Sequence, residues 1–115
     1  MREIKFRAWD KKNNSFQDND MALSILQDVA ITEMEGYVVE QFTGLPDING
    51  KEVYDGDLFN FDGDIVRVEW CNDLAYYLAV FTDGSDLMLH AIAHRCAVIG
   101  NIHEHRNLLD GEENN

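Results

Sequence analysis

Polar and apolar positions alternate at both ends of this chain, and that alternation predicts a mainly β protein. Ile4, Phe6 and Ala8 alternate with Lys5, Arg7 and Trp9, the period-two signature of a strand with one buried face, here drawn from Met1 to Asp10. The turn formers Lys11-Lys12-Asn13-Asn14-Ser15 lead to a second short strand around Phe16. Between Asp20 and Met34 the spacing changes. Met21, Leu23, Leu26, Val29 and Ala30 fall nearer to helical intervals, and Asp20 stands where an N-cap belongs, so a short helix is expected. Tyr37 to Phe42 is β-branched and aromatic and reads as a strand ending in a turn at Thr43-Gly44-Leu45-Pro46. Asn49-Gly50 then predicts a type I′ turn that folds Asp47 to Tyr54 back on itself.

From Tyr54 onward the pattern is a meander. Leu58, Phe59 and Phe61 run into Asp62-Gly63, and Ile65, Val66, Val68 and Trp70 continue beyond it. Ala75 to Phe81 makes the next strand, Asp83-Gly84 the next turn, and Leu87, Met88 and Leu89 resume after it. A helical turn over His90 to His94 separates these from a last strand, Cys96 to Ile102. Short strands joined by tight turns favour a small antiparallel barrel, because closure removes the sheet edges that promote aggregation. The expected architecture is an SH3-like barrel over 54–102, preceded by an N-terminal β subdomain with a short helix over 1–53. A terminal segment over 103–109 completes a single domain, and a polar tail over 110–115 is expected to be disordered.

Composition narrows the function classes. Twenty-two acids against nine bases give a formal charge of −13, a field that repels phosphate and disfavours nucleic acid. The charge is uneven: residues 1–16 carry five bases (Arg2, Lys5, Arg7, Lys11, Lys12) and two acids, a basic arm on an acidic body. No apolar run is long enough to span a membrane, and Cys71 and Cys96 are spaced as separate reduced thiols, so a cytoplasmic setting is expected.

Candidate chemistry is sparse. Asp55-Gly56-Asp57 and Asp62-Gly63-Asp64 bring four carboxylates together but miss the calcium-loop template, and turn chemistry accounts for them. His90, His94, Cys96, His103 and His105 fit no zinc spacing of the usual kind. Cys71 and Cys96 lie in or beside apolar runs that raise a thiol's pKa, so neither reads as a nucleophile. Aromatic residues default to the core, except that adjacent Tyr76 and Tyr77 must face opposite sides of a strand. Trp9, Tyr76 and Tyr77, with Arg2, Lys5 and Arg7 of the arm, are the candidate protein contacts.

Three stretches carry a more specific signal: Met1-Arg-Glu-Ile-Lys-Phe-Arg-Ala-Trp-Asp10, Gln41-Phe-Thr-Gly-Leu-Pro-Asp-Ile-Asn-Gly-Lys-Glu-Val-Tyr-Asp-Gly-Asp57, and Ile99-Gly-Asn-Ile-His-Glu-His105 with Leu108-Leu109. In this order they resemble the YopX-like family of phage and prophage proteins. Asp55, where relatives tend to carry glutamate, and Arg106-Asn107, where a proline-containing pair is usual, depart from its pattern. The resemblance implies a phage or prophage origin, hence a host bacterial cytoplasm, and a β-rich fold with an SH3-like barrel; it implies no activity. The sequence therefore points to a non-enzymatic accessory protein without cofactor or metal that binds a host or phage protein or itself. A homo-oligomer is expected, since the apolar face of the first strand needs cover. The alternatives are a nucleic-acid-binding barrel and an acidic DNA mimic. The first is opposed by eight acids against Arg67 and Arg95 over 54–102.

Overall fold

The computed structural model describes residues 4–27 and 36–105. Its elements are β1 (Phe6–Asp10), β2 (Ser15–Gln17), α1 (Asn19–Gln27), β3 (Tyr37–Pro46), β4 (Glu52–Tyr54), β5 (Asp57–Phe61), β6 (Asp64–Cys71), β7 (Tyr76–Phe81), β8 (Asp86–Met88), α2 (Leu89–Ile92), a 3₁₀ turn (Ala93–Arg95) and β9 (Val98–Asn101). The protein is mainly β, as the alternation predicts. It divides into two compact units after Phe42 rather than near residue 53. Val53 explains the difference, because its fully buried side chain belongs to the core that Phe59 and Leu89 build.

In the first unit β1 pairs antiparallel with β2 and with β3. Its strand face holds as predicted for Phe6 and Ala8, but Ile4 lies before β1 and is 69% exposed. What covers that face is α1, whose Ala22 and Ile25 pack with Ala8 against Phe6, Tyr37 and Val39. The helix turns inward the residues between the expected ones. Met21, Leu23 and Leu26 point outward instead. The N-cap is Asp18 rather than Asp20: its carboxylate accepts from the Met21 N–H at 3.0 Å and its carbonyl from the Ala22 N–H at 2.9 Å. Asn19 adds a tie to β1 by accepting the Phe6 N–H at 2.9 Å. Val29, Ala30 and Met34 of the expected helix, together with Arg2 and 106–115, lie outside the described residues.

In the second unit five strands form one antiparallel sheet in the order β8-β7-β6-β5-β9. The sheet curls into a half-barrel, helped by a register shift between Leu58 and Phe59 where β5 meets β9. Phe59, Val66, Val68, Tyr77 and Ala79 line its inner side. Leu89, Ile92, Ala93 and Cys96, contributed by α2 and the turn after it, join this core between the strands at the two edges, β8 and β9. Leu89 thus starts a helix instead of extending β8, and Thr43–Pro46 continues β3 instead of turning.

Turn chemistry sorts the glycine pairs. At Asp62-Gly63 both residues have positive φ, 53° and 93°, the type I′ geometry that a two-residue hairpin requires. At Asn49-Gly50 only Gly50 is left-handed, with φ 83°. There a type I turn is followed by a glycine, with Asp47 N–H bonded to the Lys51 carbonyl and Gly50 N–H to the Asp47 carbonyl. Phe81 to Ser85 repeats that pattern. Asp47 itself selects the geometry, since its carboxylate accepts the Asn49 and Lys51 N–H groups at 2.8 and 2.9 Å.

Candidate functional site

Strand alternation in the second unit leaves a second, outward face. Because Val66, Val68, Tyr77 and Ala79 point into the core, Ile65, Arg67, Glu69, Tyr76, Leu78 and Val80 point the other way. Register places them in rows: Arg67 beside Val80 beside Asp86, then Glu69 beside Leu78 beside Met88, then Cys71 beside Tyr76. An apolar stripe of Tyr76, Leu78, Val80 and Met88, the last 42% exposed, therefore runs between carboxylates of Glu69 and Asp86.

A cavity of about 560 Å³ opens at one end of this face. Val80 and Ile102 supply its apolar surface, Gly56 and Gly84 its backbone walls, and Asp55, Arg67 and Glu69 its charge. Arg67 forms an ion pair with Glu69, its neighbour two along the same strand. The wall at Gly56 is tied on both sides, its N–H to the Val68 carbonyl and its carbonyl to the Ile102 N–H, each at 2.9 Å.

The sequence-nominated contacts fall elsewhere or play other parts. Trp9 is 5% exposed and packs edge-on against Phe16, its partner across the β1–β2 hairpin, with ring centres 4.8 Å apart. It is a core residue of that hairpin. The exposed tryptophan is Trp70, at 40%, because it sits at the end of β6 beyond the reach of the core and covers only the edge of Tyr77. Tyr77 is buried and Tyr76 partly exposed, as their adjacency requires. Arg7 is spent inside its own unit: its Nε donates to Glu40 at 2.8 Å, and its guanidinium lies 4.1 Å from the Phe16 ring centre. Glu40, only 5% exposed, is its register partner on β3. Lys5 lies over Phe42 at 5.8 Å. Lys11 and Lys12, at the hairpin tip, are the exposed bases of this region.

The nominated ligand groups also have structural duties. Asp57 is buried and accepts the Tyr54 N–H at 2.8 Å, closing the turn between β4 and β5. His90 and His94 are exposed, with the helix changing to a 3₁₀ turn between them. His105 accepts the Asn101 N–H on Nδ1 at 3.2 Å, and its ring covers Gly100 so closely that a Cβ there would collide with it. Asn101 holds the same turn, accepting the His103 and Glu104 N–H groups at 3.0 and 2.9 Å. Burial pushes the Cys96 thiol pKa up, aided by Asp62 and opposed by Arg95, which keeps it a packing residue. Among the described residues no helix is long and apolar enough to cross a membrane.

Sequence reasoning did not single out Leu78, Val80, Met88 or Ile102. Alternation marks them as facing away from the core, but only the register shows that they adjoin Glu69 and Asp86.

Comparison with known proteins agrees with this architecture. None of the curated proteins compared matches the chain. The crystal structure of protein EF1440 from Enterococcus faecalis superposes with a TM-score of 0.67 at 22% identity, covering 95% of this chain and 99% of that one, and so shares the fold. The family model described as YopX protein matches residues 5–110, nearly the whole length, and the chain belongs to the YopX family.

Proposed function

We propose that this chain is a non-enzymatic accessory protein of phage or prophage origin that works by binding another protein, through the outward face of its five-stranded sheet. The observation that carries this reading is the apolar stripe Tyr76–Leu78–Val80–Met88, set on a rigid sheet and framed by carboxylates, the arrangement of an apolar centre with a polar rim. The reactive groups support it from the other side, since Cys96 is a buried thiol of raised pKa and His105 holds a backbone N–H. A phosphate-binding role is opposed by charge: residues 43–105 carry eleven acids against Lys51, Arg67 and Arg95.

The test is affinity capture from host lysate with the tagged protein and with Leu78→Glu and Met88→Glu variants whose circular dichroism matches the parent. A partner retained by the parent and lost from both variants is expected. Equal recovery by all three would place the binding elsewhere and overturn the reading.

A further inference from the structure

The outward face ends in the cavity between Asp55, Glu69 and the Thr82–Gly84 turn, and its chemistry is more specific than that of the stripe. Its lining brings two carboxylates and one guanidinium, and the guanidinium is already paired with Glu69. Asp86 adds a third carboxylate alongside, because its register partner is Val80 on the cavity wall. The site thus has an excess of negative charge around an apolar surface of Val80 and Ile102. An anionic ligand is disfavoured by that field, and a purely apolar one would leave the carboxylates facing it without a counter-charge. A long side chain that is apolar along its stem and cationic at its tip satisfies both parts, and arginine and lysine are built this way.

We propose that this cavity takes an arginine or lysine side chain from an extended basic segment of a partner protein, with the rest of that segment lying along the apolar stripe. The inference rests on the reading of the face as a protein-binding surface. Charge complementarity selects the occupant: with a net charge of −13, the chain attracts basic partners and repels copies of itself. Glu69 and Asp55 receive the cation, Asp86 guides its approach, and Val80 and Ile102 pack on the stem.

The probe is a fluorescent decapeptide of alternating arginine and valine, titrated by anisotropy at about 0.15 M salt, with the glutamate-for-arginine peptide as counter-probe. Backbone amide shifts of the labelled protein map the contact. The expected result is saturable binding of the arginine peptide alone, with shifts at Val80, Thr82, Gly84 and Ile102. Glu69→Lys should weaken it about tenfold. Asp73→Lys, an equal charge change on the exposed β6–β7 loop, should stay within about twofold. Equal weakening by both variants, or shifts spread over the acidic surface, would show mere charge attraction and overturn the proposal. Light scattering that gives a dimer mass, lost on Lys11→Glu with Lys12→Glu, would also overturn it by assigning the cavity to a second copy. If a lysate partner is lost on Leu78→Glu but retained on Glu69→Lys, the cavity proposal fails while the binding face stands.

Discussion

Asp47 shows how one side chain can organise a fold at the residue scale. It is buried, and it accepts N–H groups from Asn49, Lys51 and, fifty-one residues away, Val98 at 2.9 Å. Burial opposes its ionisation, but those three donors and the Lys51 charge outweigh it and hold the carboxyl below the usual range. The unfolded chain therefore binds this proton first as pH falls. The stabilisation is fully present above about pH 4 and is lost as pH drops through the folded value. Asp47→Ala should cost roughly 1–3 kcal/mol at neutral pH by orphaning its donors, measured by urea denaturation. It should also flatten part of the acid limb of a melting-temperature profile; an unchanged profile would show that other carboxylates carry it. Half of this role was legible beforehand. Asp47 could be read as a local turn acceptor, but not as the anchor of β9, because Val98 is brought to it only by the folded chain.

Loops of the same length carry different residues at the element scale. Asn14 and Ala75 each close a four-residue connection by donating to the carbonyl four residues back, Asp10 and Cys71, at 2.8 Å. Each is left-handed, with φ 53° and 59°. Asparagine tolerates that region, whereas alanine sets its Cβ against the following carbonyl at a cost of about 1 kcal/mol. Exposed Ala75→Asn should stabilise the β6–β7 hairpin by up to about 1 kcal/mol, seen as a raised denaturation midpoint with unchanged slope. A lower midpoint would mean that the alanine is needed for more than its backbone. The helix teaches a related lesson. Its existence follows from spacing, yet which side it buries depends on where β1 and β3 lie, and that selects Ala22 and Ile25 over the larger Met21 and Leu26.

Electrostatics acts on the whole molecule. The basic arm suggested by residues 1–16 is partly neutralised within its own unit, where Arg7 meets Glu40, and the apolar face that invited a second copy is covered by α1. The acidic second unit keeps its excess. Duplex and single-stranded DNA should therefore show no submicromolar binding near 0.15 M salt, because too few cations are present to release counterions; a gel-shift dissociation constant below about 1 μM would contradict this.

The sequence by itself determined the β-rich class, the strand order along the chain, the Asp62-Gly63 hairpin and family membership, because period-two alternation and turn residues act over a few neighbours. Tertiary structure decided what depends on distant partners. Trp9 became core because Phe16 lies across the hairpin, and Trp70 became surface because β6 outruns its core. Thr43–Pro46 stayed extended as the end of β3, and Asp47 set the turn that follows. The outward face came into being only when β6, β7 and β8 took their register, since no local pattern states which residue of one strand will stand beside which residue of the next.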